Sequence, residues 1–192
     1  DADVPAPALR DLVAEYKHLV HARTGRPFPQ DPMEQLRLAI NAVFDSWWAK
    51  KAVDYRRIHR LADDWGTAVT VMAMVFGNLG PTSGTGVCFS RDPSSGERRF
   101  FGEFLVNAQG EDVVAGIRTP EPLDALKTRM PAVYRKLTSI KDRLEAHYRN
   151  MQDIEFTVEQ VRLYMLQTRN GKRTAKAALK VAVDLAEEGL IT

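Results

Sequence analysis

The chain has 192 residues, of which 44% are hydrophobic and 27% charged. These are globular proportions, enough for one or two modest cores. Its 27 basic and 25 acidic residues leave a net charge of +2, too weak a field to call for nucleic acid or an anionic membrane as partner. No apolar run approaches the roughly 20 residues that cross a bilayer, and no charged-then-apolar signal segment opens the chain. Cys88 is the single cysteine. It has no partner for an internal disulfide and suits a reducing compartment, so a cytoplasmic location is expected. The opening "DADVPAPALRDLV" contains no methionine, and the chain is expected to be an internal fragment of a longer protein.

Between Pro7 and Arg23, Leu9, Leu12, Val13, Tyr16, Leu19 and Val20 recur at spacings of three and four, which predicts an amphipathic helix. "TGRPFPQDP" breaks it. A second helix starts after Asp31 as N-cap, with Pro32 in its first position and Leu36, Ile40, Val43, Phe44 and Trp47 on one face. Trp47 and Trp48 read as packing anchors. Tyr55, Arg56, Arg57, His59 and Arg60, on a short helix that follows, read as a solvated face. His18, His21, His59 and His147 have no Cys or carboxylate neighbour at metal-ligand spacing, so no zinc site is assigned.

The hydrophobic period changes at Gly66. "TAVTVMAMVFG", residues 67–77, is nearly continuously apolar and predicts a buried strand. "GTGVCFSRD" (84–92) predicts a second strand, with Cys88 as a small core residue. "PSSG" is a turn, and "ERRFFGEFLV" returns as an antiparallel neighbour. Residues 107–116 are expected to be a loop with a short strand. Residues 131–150 form a helix carrying Val133, Leu137, Ile140 and Leu144. A hairpin over 151–170 precedes a last helix from Thr174 to Glu188, closed by Gly189. The fold class expected is α+β, with an antiparallel sheet, flanking helices and an N-terminal helical segment. The boundaries expected are 1–65 for the helical segment, 66–173 for a β-rich nucleotide-binding part and 174–192 for a helix leading onward.

The hairpin carries the chemistry. Residues two apart on a strand share a face, so Asp153 and Glu155 point one way together, as do Gln167 and Arg169. If the turn holds an odd number of residues, such as Gln160-Val161-Arg162, Glu155 lies opposite Gln167 and Asp153 opposite Arg169; an even turn would separate the pairs. Gathered on one face, these groups would offer oxygen ligands suited to Mg²⁺ and a guanidinium fork suited to phosphate. The plainer alternative is a solvent-facing strand with an Asp153–Arg169 cross-strand pair. "SGTG" (83–86), "GE" (102–103) and "QGEDVVAG" (109–116) add glycine-rich backbone and further carboxylates.

"QDPMEQLRLAINAVFDSWW", "TAVTVMAMVFGN", "SGTGVCFSRDPSSGE", "GEFLVNAQGEDVVAGIRTP", "MQDIEF" and "MLQTRNGKRTAKAA" resemble the nucleotide-binding part of the pyruvate, phosphate dikinase family, from about Leu9 onward. The resemblance implies an incomplete ATP-grasp domain. In that family such a domain passes the β-phosphoryl of ATP to a histidine on a swivelling domain, which phosphorylates pyruvate in a third, barrel-shaped domain. It implies that Glu155 and Gln167 hold Mg²⁺, that Asp153 sits beside them, and that Arg169 contacts the terminal phosphates. Thr85 and Gly86 match a phosphate loop, while Glu103, Glu111 and Asp112 match the ribose and metal side. Met72 and Met74 lie on the adenine-side strand, with Met72 where the family commonly has glutamine. The turn "EQVR" likewise departs from Asn-Gly. The partners implied are ATP or AMP, an N-terminal subdomain carrying a lysine and an arginine, the phosphohistidine domain and the barrel, with the parent a homodimer. Sister phosphotransferases and a non-catalytic remnant acting as an interaction module remain the alternatives. The fragment by itself is expected to be inactive.

Overall fold

The computed structural model describes residues 4–114 and 118–192, in two compact units that divide between Met72 and Ala73. None of the described helices is long and apolar enough to cross a membrane.

The first unit is helical. α1 spans Ala6–Thr24 and ends at Gly25. α2 (Pro32–Ser46) starts as its composition demands: the Asp31 side chain accepts from the Glu34 backbone N–H at 2.8 Å, and Pro32 occupies the first turn, where a missing N–H costs nothing. α3 spans Lys50–His59. The apolar stripe of α1 exists as expected, yet no α1 residue is buried. Arg56 departs from the expected solvated face. It is only 3% exposed, with its guanidinium 3.9 Å from the Trp47 ring centroid, Nε donating to Asp63 at 2.6 Å and Nη1 donating to the Trp47 carbonyl. A cationic head that finds a carboxylate, a carbonyl and an aromatic face tolerates burial that an unpaired one would not. Trp47 thus serves as an anchor, whereas Trp48 is largely exposed.

Residues 67–77 form no strand, contrary to expectation. They run without ladder pairing, and Val71, Met72, Met74 and Phe76 are exposed. Apolar composition favours burial, but a strand also needs a partner edge. Among the described residues both edges of the central strand are taken by other segments.

The second unit holds one antiparallel sheet. Its strands are β1 (Gly84–Phe89), β2 (Phe101–Val106), β3 (Glu121–Pro122), β4 (Gln152–Glu159) and β5 (Arg162–Asn170), in the order β3-β2-β1-β4-β5. Helices α4 (Gly110–Val114), α5 (Ala125–Arg129), α6 (Pro131–Tyr148) and α7 (Ala175–Glu187) complete it. The fold is α+β, as the change of hydrophobic period indicated. The even-numbered side of the sheet meets α5 and α6: Cys88, Phe104, Ile154, Phe156 and Val158 pack with Leu126, Val133 and Leu137 into the main core. Each such large side chain contributes about 1.5–3 kcal/mol by leaving water. α4 replaces the short strand expected in 107–116; Asp112 accepts from the Gln109 backbone N–H at 2.8 Å, closing a helical first turn instead. Residues 115 and 116 of that stretch lie outside the described residues.

α7 is tied to the sheet at the far end from the hairpin tip. Thr174 caps it, accepting from the Ala177 N–H, and its own hydroxyl donates to the Ser94 carbonyl. Met151, Val181 and Leu185 form a second small core. Arg91, fully buried, pairs with Glu145 of α6 at 2.8 Å and with Glu188, just past α7, at 2.7 Å. Burial alone would lower the Arg91 pKa, but the hydrogen bonds to Glu188 and Glu145 outweigh it and raise it.

Candidate functional site

The odd-numbered side of the sheet carries the polar groups. In register, Val87 of β1 lies between Glu103 of β2 and Glu155 of β4, and Glu155 lies opposite Gln167 of β5; one step along, Asp153 lies opposite Arg169. Both hairpin pairs therefore meet on one face, as the odd-turn reading required. The route is different. The turn has two residues, Gln160 and Val161, with Glu159 opposite Arg162, and both turn residues are left-handed at φ 47° and 68°. That primed geometry matches strand twist but normally takes Asn-Gly. The Gln160 N–H donates to the Ser83 hydroxyl and the Val161 N–H to the Thr82 carbonyl. An even turn pairs odd with even, and the ladder does so as far as Phe156 opposite Met165. A bulge between Glu155 and Phe156 on β4 then absorbs Leu166 as an extra β5 residue and restores odd-to-odd pairing. Without the bulge, the same ladder would set Gln167 opposite Ile154 and Arg169 opposite Gln152, on the core side.

Arg169 Nε donates to Asp153 at 2.7 Å. Asp153 is 6% exposed, while the arginine side chain is about half exposed. The hydrogen bond and charge of Asp153 raise the Arg169 pKa and hold the guanidinium charged. Its two Nη nitrogens take no partner among the described residues. Beside this pair lies a cavity of about 530 Å³, lined by Thr85, Gly86, Val87, Gly110, Glu111, Val113, Glu155 and Leu166. Its walls combine apolar side chains with two carboxylates.

Not every predicted residue reaches it. Thr85, Gly86, Glu111 and Glu155 do. Gln167 and Arg169 share the face of Glu155 without lining the cavity, and Glu103 stands exposed across Val87. Asp112 spends its carboxylate on its own helix. Met72 and Met74 lie exposed on the unpaired segment and line no part of the cavity. Gly84, Thr85 and Gly86 belong to strand β1, as the reading of 84–92 as a strand expected, and not to the separate phosphate loop that the resemblance implied. A side chain on Gly84 or Gly86 would strike the Phe104 or Phe156 ring at 2.7 Å, so these glycines make room for the core. The Thr85 hydroxyl is turned to β4, donating to the Phe156 carbonyl at 3.2 Å. Sequence reasoning missed Val87, Val113 and above all Leu166, which enters the cavity wall because the bulge turns it there. No periodicity argument signals a one-residue bulge.

Among the described residues no group of three or more His, Cys, Asp or Glu side chains is placed to hold a metal by itself. Glu155 and Gln167 supply two oxygen donors as cross-strand neighbours. That suits a hard divalent cation whose other ligands are water and phosphate, and does not suit an all-protein cage.

The second unit is thus an α+β fold whose open sheet face gathers carboxylates, an amide and a buttressed arginine beside a mixed cavity. The sequence pattern of the pyruvate phosphate dikinase AMP/ATP-binding domain matches residues 12–139 and 130–189. The chain belongs to this family. Over 191 residues, all of this chain, it is 57% identical to pyruvate, phosphate dikinase 2 of Zea mays and 56% identical to the chloroplastic dikinase 1 of Oryza sativa subsp. japonica. Over 193 residues it is 53% identical to the pyruvate, phosphate dikinase of Clostridium symbiosum. The chain spans 22%, 20% and 22% of those relatives respectively, about a fifth of their length.

Proposed function

We propose that this chain supplies one wall of the Mg-ATP site of a pyruvate, phosphate dikinase with an ATP-grasp domain. The observation that carries the reading is the juxtaposition of Glu155 opposite Gln167 with Asp153 opposite Arg169 on one open sheet face. The adenosine end takes the cavity bounded by Val87, Val113 and Leu166, with Glu111 at its rim toward the ribose. The triphosphate runs along the β4–β5 pair toward Arg169. Asp153 orients that guanidinium through Nε, leaving its Nη fork for terminal phosphate oxygens. Glu155 and Gln167 would hold Mg²⁺, which would supply neutralisation of the phosphate charge. These residues bind and orient the nucleotide. The phosphoryl acceptor and the opposite wall belong to sequence outside these residues.

Phosphoryl transfer depends on positioning and charge neutralisation from both sides of the nucleotide. Each charge-assisted hydrogen bond contributes roughly 1.5–3 kcal/mol, so losing two from the opposite wall lowers affinity by orders of magnitude. Calorimetric titration with Mg-ATP is expected to show weak or undetectable binding by the 192 residues and tight binding by a longer chain that adds the preceding subdomain. No binding by the longer chain would reject the site.

A further inference from the structure

The bulge at Leu166 decides which face Gln167 and Arg169 occupy, and a bulge can anneal out by slipping one residue. Something must hold the far end of β5 in the bulged register. Gln152, the first residue of β4, is 1% exposed, more than nine-tenths buried, on the side of the sheet away from Asp153. Its Oε1 accepts from the Thr168 hydroxyl at 3.0 Å, and its Nε2 donates to Asn170 Oδ1 at 3.2 Å and to the Asn150 carbonyl at 3.0 Å. Thr168 and Asn170 are the two residues that flank Arg169. In the slipped register Gln152 would lie opposite Arg169, and both partner side chains would turn to the other face, leaving the buried Oε1 without its donor and Nε2 with only the local Asn150 and Met151 carbonyls. Gln152 is itself fixed to β1: its N–H donates to the Ser90 hydroxyl at 2.9 Å, and its carbonyl accepts from the Ser90 N–H. That hydroxyl in turn donates to Glu145 of α6.

From this geometry we infer that Gln152 is a positioning residue, a clip whose carboxamide grips Thr168 and Asn170 and so locks β5 in the register that presents Gln167 and Arg169 to the cleft. The register part stands on the fold alone; its consequence for nucleotide binding rests on the function proposed above. A buried amide oxygen left without its donor costs more than the satisfied bond returns, so the clip penalises the slipped register more than it stabilises the native one.

The test uses the 192-residue chain and nuclear magnetic resonance. In the native protein, cross-strand contacts link Asp153 with Arg169 and Glu155 with Gln167. In Gln152→Leu those contacts are expected to weaken or double, and amides 167–170 to exchange at least tenfold faster, while amides of β1 and α6 keep their protection. Should Gln152→Leu fail to fold, Thr168→Val and Thr168→Ser decide the matter. Valine keeps the shape without the hydroxyl and is expected to accelerate exchange at 167–170 several-fold; serine keeps the hydroxyl and is expected to restore protection. A role in packing alone predicts the reverse order. Unchanged contacts and exchange in Gln152→Leu, or valine protecting better than serine, would overturn the inference. Titrating Mg-ATP into the longer chain is the separate check on function. Register lost in Gln152→Leu with no nucleotide response even in the native longer chain would reject the nucleotide reading and leave the clip standing.

Discussion

At the scale of single residues, environment decides reactivity. Burial, with the nearby charge of Asp153 adding to it, pushes the Cys88 thiol well above its ordinary value. The nucleophile is the thiolate, so Cys88 is expected to stay silent to a thiol-titrating reagent in native protein at pH 8 and to react fully on denaturation; a fast native reaction would show that β1 opens. Arg169 poses the opposite case, a charged head half in water with one nitrogen held. Substituting lysine keeps the charge but loses the fork. Arg169→Lys is therefore expected to weaken Mg-ATP binding by the longer chain roughly tenfold or more with little effect on thermal stability, both read by calorimetry. Equal affinity would mean that the guanidinium meets no phosphate. The same contrast explains what was legible at this scale. Asp153 with Glu155, and Gln167 with Arg169, could each be paired from strand parity alone, because parity is a local rule; that the two pairs face each other could not, because it depends on the turn and the bulge. The burial of Arg56 could not, because it depends on Asp63 and the Trp47 ring arriving from neighbouring segments.

Among the elements, the hairpin is where local rules and outcome part. Parity was argued from an odd turn; the structure has an even turn and a bulge, two changes that cancel at Glu155 and Gln167. The antiparallel β1–β2 and β4–β5 neighbours and the helices α2, α6 and α7 followed from periodicity and turn signals, whereas the order of the five strands was not legible because it depends on long-range pairing. The segment 67–77 misled because apolar, β-branched composition favours a strand without specifying a partner, and the glycines of β1 because a phosphate loop and a crowded strand ask for the same residue. The turn also stores strain. Val161 is β-branched and left-handed, a conformation costing roughly 1–2 kcal/mol for an ordinary side chain. Replacing Gln160-Val161 by Asn-Gly is thus expected to raise stability by about 1 kcal/mol, measured by urea unfolding. A loss of stability would mean that the exposed valine packs against something the geometry does not suggest.

For the whole molecule, acid is the informative perturbant. The hydrogen bond from Arg91 holds Glu188 below its ordinary value near 4.5, and the hydrogen bond from Arg99 does the same for Asp92, whose ordinary value is 3.8. A carboxyl depressed in the folded state adds stability that is complete above its ordinary value and disappears as pH falls through the folded one. Unfolding free energy is accordingly expected to decline below about pH 4.5, and Glu188→Gln to make that decline shallower; identical acid limbs would show that the pair contributes nothing. The exposed, unpaired run around Val71, Met72 and Met74 is expected to be the first site cut by a protease selective for apolar residues, with mass spectrometry locating the nick; first cleavage elsewhere would contradict its exposure. The Arg91 cluster also bears on how the second unit comes to exist. Arg91 stands at the end of the central strand, and the carboxylate of Glu188 lies 97 positions further along the chain. Contacts so distant in sequence cost loop-closure entropy before they return anything, which slows folding. During synthesis the Arg91 cation beside the sheet must wait, only partly neutralised, until Glu188 has been made and has left the ribosome. A nascent chain halted short of Glu188 would expose an unfinished structure to chaperones and proteases, however complete its strands already were.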